Sequence, residues 1–313
     1  MKAINEKAER FDRAADYTAP NIRTQLLRLS GDIKARAYEI RLKTGAPVMI
    51  SLDSGCMPIG AYLPPSAPYT VTKEDMAATF EFITGASVHS VLEELRCGFI
   101  TIRGGHRVGV CGKVITDGGG VLSIRDVSSL NFRIAREIKG CADAVIDEII
   151  KDNRVRSVIV ISPPSCGKTT LLRDIARQLS NGVETLGFKG VKVGVIDERS
   201  EICAMYKGEP QNDVGVRTDV LDMCPKSIGV SIMLRSMSPD VIITDELLNE
   251  ADARAVMTAH NTGVAVIASA HGESVDEIRK KPAFSRLFDE KVFSLAVTLS
   301  NVPRLGTPSV HYL

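Results

Sequence analysis

The chain has 313 residues, of which 44% are hydrophobic and 25% charged, with 39 basic and 38 acidic side chains. This balance excludes a collagenous, low-complexity or disordered chain, and the length suits two ordinary domains better than one. The charges nearly cancel in the first 150 residues and again in the remainder, so neither half offers the basic excess that nucleic-acid binding draws on.

The first half reads as a mixed α/β unit. Tyr38–Leu42 alternates, Thr44-Gly45-Ala46-Pro47 punctuates, and Val48–Leu52 follows, which predicts a hairpin. The Pro- and Gly-rich stretch 54–71 reads as a loop. Thr72 with Asp75 predicts a capping box opening a helix through Ile83, and a second helix is expected over Ser87–Arg96. Phe99–Ile102 and Val108–Val110 flank Arg103-Gly-Gly-His-Arg107, a second hairpin, and Asp117–Gly120 is the next turn, with a strand and a helix leading on to Lys151.

From about Val155 short apolar runs alternate with helical stretches: Val158–Ile161, Val191–Ile196, Val241–Thr244, Val264–Ala270 and Val292–Leu299. Near-continuous runs of this kind fit strands buried on both faces of a mostly parallel sheet. The expected division is an N-terminal α+β adaptor or oligomerisation domain over 1–145 and an α/β domain over 146–313.

Seven cysteines are scattered without a CxxC or a Cys/His grouping, so reduced thiols in a cytoplasm are expected, with no zinc site or disulfide framework. Residues 1–17 alternate charges and lack a signal-peptide apolar core. The longest uncharged stretches are broken by prolines (54–72) or by His260, Asn261 and Gly263 (255–270), so no membrane span is expected.

The chemistry concentrates in the second half. The strand Ser157–Ile161 runs into Ser162-Pro163-Pro164-Ser165-Cys166-Gly167-Lys168-Thr169-Thr170 and then a helix with Leu171, Leu172, Ile175 and Leu179 on one face. A P-loop needs this strand–loop–helix order, because backbone N–H groups and the helix N-terminus must point at the phosphates; the alternative is an ordinary strand–turn–helix with a chance Gly-Lys-Thr. Lys168 supplies charge for the β- and γ-phosphates of ATP, and Thr169 a hydroxyl for Mg2+. Gly167 leaves room for the nucleotide. The usual first glycine of the motif is Ser162 here, which would be strained if that position required positive φ. Cys166 reads as a tolerated small side chain.

Pro239–Glu246 is an apolar strand ending in two carboxylates. Such a strand is expected beside the P-loop strand, with both acids facing the γ-phosphate: Asp245 would hold Mg2+ through water, and Glu246 would orient or deprotonate the attacking water. Val195-Ile-Asp-Glu-Arg-Ser-Glu201 ends a further strand. Its Asp197, Glu198 and Glu201 either reach the crevice or pair with Arg199 in an ordinary turn. His271, followed by Gly272 at another strand end, is expected to sense the γ-phosphate, whereas His106 and His260 read as structural.

P-loop, acidic box, acidic strand and histidine box, in this order, resemble the motor ATPases of type II and type IV secretion and pilus retraction. Glu39–Val48 is similar to a strand-and-turn segment of their N-terminal domains. A more specific resemblance, from about residue 25 to 300, is to the stage III sporulation AA family of endospore-forming bacteria. It is carried by Gly105–Lys113, Ser128–Arg136, Ile161–Asp174, Val195–Ile202, Pro210–Asp222 and Arg235–Pro239. Ser165 departs from the usual glycine, and Leu247-Leu248 from the usual Ile-Gly. The first departure touches the phosphate loop and implies weak or slow turnover.

The resemblance implies a RecA-like P-loop core and a cytoplasmic Mg-ATPase on the mother-cell side of a channel to the forespore. It also implies a homo-oligomer, a hexamer with ATP at subunit boundaries, and a membrane-embedded channel partner. An arginine delivered in trans is implied as well, with Arg125, Arg133, Arg136 and Arg217 as candidates. Two other readings are a nucleic-acid-stimulated RecA-like ATPase and a nucleotide-gated scaffold. Neutral charge and the absence of tryptophan argue against the first. Lys168, Thr169, Asp245 and Glu246 argue against the second.

Overall fold

The computed structural model describes residues 2–63, 69–85, 87, 91–96, 98–116, 121–302, 304 and 306–313. The expected turn Asp117–Gly120 and part of the helix expected from Ser87 lie outside them. The chain forms two units, Met1–Arg136 with Tyr206–Gln211, and Glu137–Met205 with Asn212–Leu313. The division falls earlier than the expected cut at 145/146, because 137–145 packs with the second unit: Ala142 and Val145 are fully buried in its core.

The first unit opens with helices α1 (Lys2–Ala15), α2 (Pro20–Leu27) and α3 (Gly31–Arg36), followed by strands β1 (Glu39–Lys43), β2 (Met49–Leu52) and β3 (Gly55–Pro58). Then come α4 (Lys73–Thr84), α5 (Leu92–Arg96), β4 (Phe99–Ile102), β5 (His106–Thr116) and β6 (Val121–Arg133). The strands make one antiparallel sheet in the order β3-β2-β1-β6-β5-β4. Both expected hairpins form, and the Thr72–Asp75 capping box starts α4 with both of its hydrogen bonds present. The segment expected to be wholly loop supplies an edge strand, β3, which pairs with β2. Phe11, Ile22, Leu26, Ile40, Ile50 and Phe132 fill the core.

His106 is fully buried in this unit and its Nδ1 accepts the Ala135 N–H at 3.0 Å. Burial, with the charges of Arg10 and Arg13, pushes its pKa down to about 4, which suits a neutral structural imidazole.

The second unit begins with α6 (Ile146–Ile149) and a small ribbon, β7 (Ile150–Lys151) with β8 (Arg154–Val155). Next come β9 (Val158–Ser162), α7 (Lys168–Asn181) and β10 (Val193–Asp197), then the short hairpin β11 (Met205–Tyr206) and β12 (Glu209–Pro210). After it follow β13 (Thr218–Asp222), α8 (Lys226–Ser236), β14 (Val241–Glu246), α9 (Glu250–Asn261) and β15 (Ala265–His271). The chain closes with α10 (Val275–Lys280), α11 (Pro282–Asp289), β16 (Leu295–Ser300) and β17 (Thr307–Tyr312).

The sheet order is β13-β10-β14-β15-β9-β16-β17, and every pairing is parallel except that of β17. Successive residues of a strand point to opposite faces. Val158 and Val160 therefore pack with Leu171, Leu172 and Ile175 of α7, while Ile159 and Ile161 meet the core beneath α8, α9 and α11. Burial on both faces is why these strands read as unbroken apolar runs.

One expectation is corrected. The acidic strand β14 is not beside the P-loop strand β9; β15 lies between them and pairs in parallel with both. The residue of β15 in register with Ser162 is His271.

Candidate active site

The segment expected to bind phosphate spans the end of β9 and the start of α7. Ser162 is 1% exposed and closes β9 in extended backbone, so the missing first glycine creates no strain there. Positive φ falls instead on Ser165 (61°) and Gly167 (90°). A non-glycine residue in that region costs about 1–2 kcal/mol, so the strain sits at Ser165. Cys166 is buried and its thiol faces the Pro164 carbonyl.

The Lys168 ammonium donates to the carbonyls of Ser162 (2.8 Å) and Pro163 (3.0 Å). Burial pulls its pKa below the usual lysine range, and the nearby Glu246 carboxylate opposes that pull.

A cavity of about 590 Å³ opens over this loop. It is lined by Pro164–Leu171, by Glu201 and Glu246, and by Ile138, Cys141, Leu299 and Gly306. Lys168, Thr169 and Glu246 therefore share one space. Asp245 does not line it. The pairing of β14 with β15 slips between Thr244 and Glu246, and this bulge turns Glu246 to the loop while Asp245 meets Lys226 Nζ at 2.8 Å. Glu198 contacts the same ammonium. His271 lines a separate cleft with Pro163 and Pro164. Of the residues singled out in the sequence, Lys168, Thr169, Glu246 and Glu201 converge, Asp245 and Glu198 form a second cluster, and His271 stands apart.

The loop after β10 is organised by Asp197, which is fully buried. Its Oδ1 accepts the Glu201 N–H at 2.8 Å, and its Oδ2 accepts those of Ile202 (2.9 Å) and Cys203 (2.8 Å). Burial raises its pKa to about 6 against the pull of these N–H groups, with the charges of Asp245 and Asp222 adding to the rise.

Arg173 of α7 holds the same loop from the other side, through Nε to the Ile202 carbonyl (2.6 Å) and Nη2 to that of Glu201 (2.7 Å). Neither Arg173 nor Lys226 is singled out by the sequence. Arg173 lies one helical turn beyond Thr169, where a long donor can reach the loop beside the helix. Lys226 carried no local signal.

Among the candidate arginines, Arg125 lines a groove of the first unit, and Arg133 is an exposed partner of Glu39 at 3.7 Å. Arg136 donates to the Arg36 carbonyl at 2.5 Å, and Arg217 to that of Ser180 at 2.7 Å.

The oxygen donors here suit a hard cation. Mg2+ keeps waters and substrate phosphates and takes few protein ligands. The described residues contain no cluster of three or more His, Cys, Asp or Glu able to hold a metal ion. The described cysteines are free thiols, and no described helix is long and apolar enough to cross a membrane.

The α/β fold with its mostly parallel sheet is shared with solved ATPases of secretion and pilus retraction. The structure of the Legionella pneumophila ATPase DotB superposes with a TM-score of 0.56 at 16% identity, covering 88% of this chain and 76% of DotB. The pilus retraction motor PilT with bound ADP gives 0.55 at 15%, covering 88% and 79%. The chain belongs to the family described as sporulation stage III, protein AA, whose model matches residues 8–311. It is 41% identical over 274 residues to the stage III sporulation protein AA of Bacillus subtilis (strain 168), covering 88% of this chain and 86% of that protein.

Proposed function

We propose that the chain is a Mg-dependent ATPase that powers a mother cell–forespore channel or secretion-type apparatus during endospore formation. The observation that carries this reading is the one cavity shared by Lys168, Thr169 and Glu246 over the phosphate loop. Lys168 leaves the carbonyls of Ser162 and Pro163 for the β- and γ-phosphates, for which a phosphate oxygen is the better acceptor. The N–H groups of Gly167–Thr170 at the start of α7 orient the phosphates. Thr169, with Asp245 through water, would hold Mg2+, which would supply neutralising charge to the phosphates. Glu246 orients the attacking water and takes its proton. Glu198 supports this group from the acidic loop, and His271 senses the γ-phosphate from the neighbouring strand end.

The working form is a homo-oligomer, a hexamer, in which an arginine of one copy completes the site of the next. It is peripheral at the cytoplasmic face of the mother-cell membrane toward the forespore, held there by a membrane-embedded channel protein. The N-terminal unit serves as adaptor and oligomerisation domain.

Phosphate release from Mg-ATP by the assembled chain, with and without single-stranded DNA or RNA, tests this reading. Turnover indifferent to nucleic acid supports it. Strong stimulation would replace it by a nucleic-acid motor, and nucleotide binding without turnover by a gated scaffold.

A further inference from the structure

Lys226 is the first residue of α8 and is only 3% exposed. This is a costly place for an ammonium. Burial disfavours its charge, and the positive end of a helix dipole repels it. Two carboxylates offset both penalties: Asp245 Oδ1 at 2.8 Å, and Glu198 in direct contact. Asp245 is itself buried and comes from the bulged end of β14, whereas Glu198 comes from the loop after β10. One ammonium thus joins the two acidic segments, from the position a cation bridging these carboxylates would take.

We propose that Lys226 is the positioning residue of the acidic half of the site, a built-in counter-ion that keeps the Asp245–Glu198 pair closed to divalent cations in the nucleotide-free chain. The proposal rests on the ATPase reading, because it concerns the carboxylate assigned to Mg2+. Asp245 can serve a metal only by giving up Lys226. The metal therefore enters with the phosphates, and the acidic residues do not collect it beforehand. The fixed charge also sets the spacing of Asp245 and Glu198, which would otherwise repel each other.

The test is a titration of Mn2+ into the full chain without nucleotide, read by the loss of the free Mn2+ electron paramagnetic resonance signal. Lys226→Met is expected to bind Mn2+ at least tenfold more tightly than wild type. Adding Asp245→Asn should abolish the gain, and Lys226→Arg, which keeps the charge, should behave as wild type. Lys226→Gln keeps a hydrogen-bond donor without the charge and should show the same gain, which covers the case in which the methionine variant does not fold. A folded Lys226→Met or Lys226→Gln with wild-type Mn2+ affinity would overturn the proposal, as would Lys226→Arg binding as tightly as Lys226→Met. Because no nucleotide is present, that failure leaves the phosphate-loop assignment intact. Conversely, a wild-type chain that does not bind ATP would refute the ATPase reading without altering this titration.

Discussion

Replacing Arg173 with methionine isolates the tie between the phosphate-loop helix and the acidic loop. The guanidinium makes two short hydrogen bonds to the loop, at 2.6 and 2.7 Å. Hydrogen bonds to a charged group contribute about 1.5–3 kcal/mol each. Methionine keeps much of the apolar stem. The Ile202 carbonyl also retains the Asn212 side chain as a donor at 3.1 Å, so that acceptor is not orphaned and the low end of the range applies. The expected loss is about 3 kcal/mol, which for a domain of this size lowers the melting temperature by roughly 6–12 °C. The same change frees the backbone that carries Glu201 to the cavity, so kcat should fall on the order of tenfold while KM for ATP changes little. Differential scanning calorimetry and steady-state phosphate release measure the two effects. An unchanged melting temperature would refute the claim that Arg173 ties the loop, and a rise in KM at constant kcat would show that it acts on substrate binding instead.

Three further outcomes are expected. Asp197 titrates near 6 in the fold against 3.8 ordinarily, so folding takes up a proton between these values and its ionised form weakens the fold. Its contribution is fully favourable below about 3.8 and is lost as pH rises through about 6. Wild type should therefore gain on the order of 1 kcal/mol relative to Asp197→Asn between pH 8 and pH 5 in urea titrations; a gain in the opposite direction contradicts the burial argument. Gly229 of α8 lies so close to β10 that an added Cβ would stand 2.7 Å from Ile196 Cγ2. Despite the better helix propensity of alanine, Gly229→Ala should cost about 1–2 kcal/mol by chemical denaturation, and a neutral result would show that the packing there is loose. Glu246→Gln should retain ATP binding and slow hydrolysis by roughly 100-fold or more in single-turnover assays, since a general base contributes about that much; near-normal hydrolysis would move the base elsewhere.

The parts of this structure legible in the sequence are those set by local rules. The Thr72–Asp75 capping box starts α4, the apolar runs become β9, β10, β14, β15 and β16, and the segment 163–167 joins a strand to a helix. The unread parts depend on pairing between distant segments. β13 and β17 lie at the sheet edges and are only partly buried, so neither displays an unbroken apolar run. The insertion of β15 between β9 and β14 is a choice of strand order, which no strand encodes by itself. The slip at Thr244–Glu246 separates the two acids of a contiguous Asp-Glu pair, and it exists only in the pairing with β15. Lys226 is unreadable for the same reason, since its partners lie 19 and 28 residues away in the chain.

The central claim, that the loop over β9 and α7 binds a nucleotide through Lys168, is tested most directly by the equilibrium affinity for Mg-ATP of wild type and of Lys168→Ala. Isothermal titration calorimetry on chains with matched circular dichroism measures it. The account predicts saturable binding by wild type and a loss of at least tenfold in the variant. Equal affinities would contradict it.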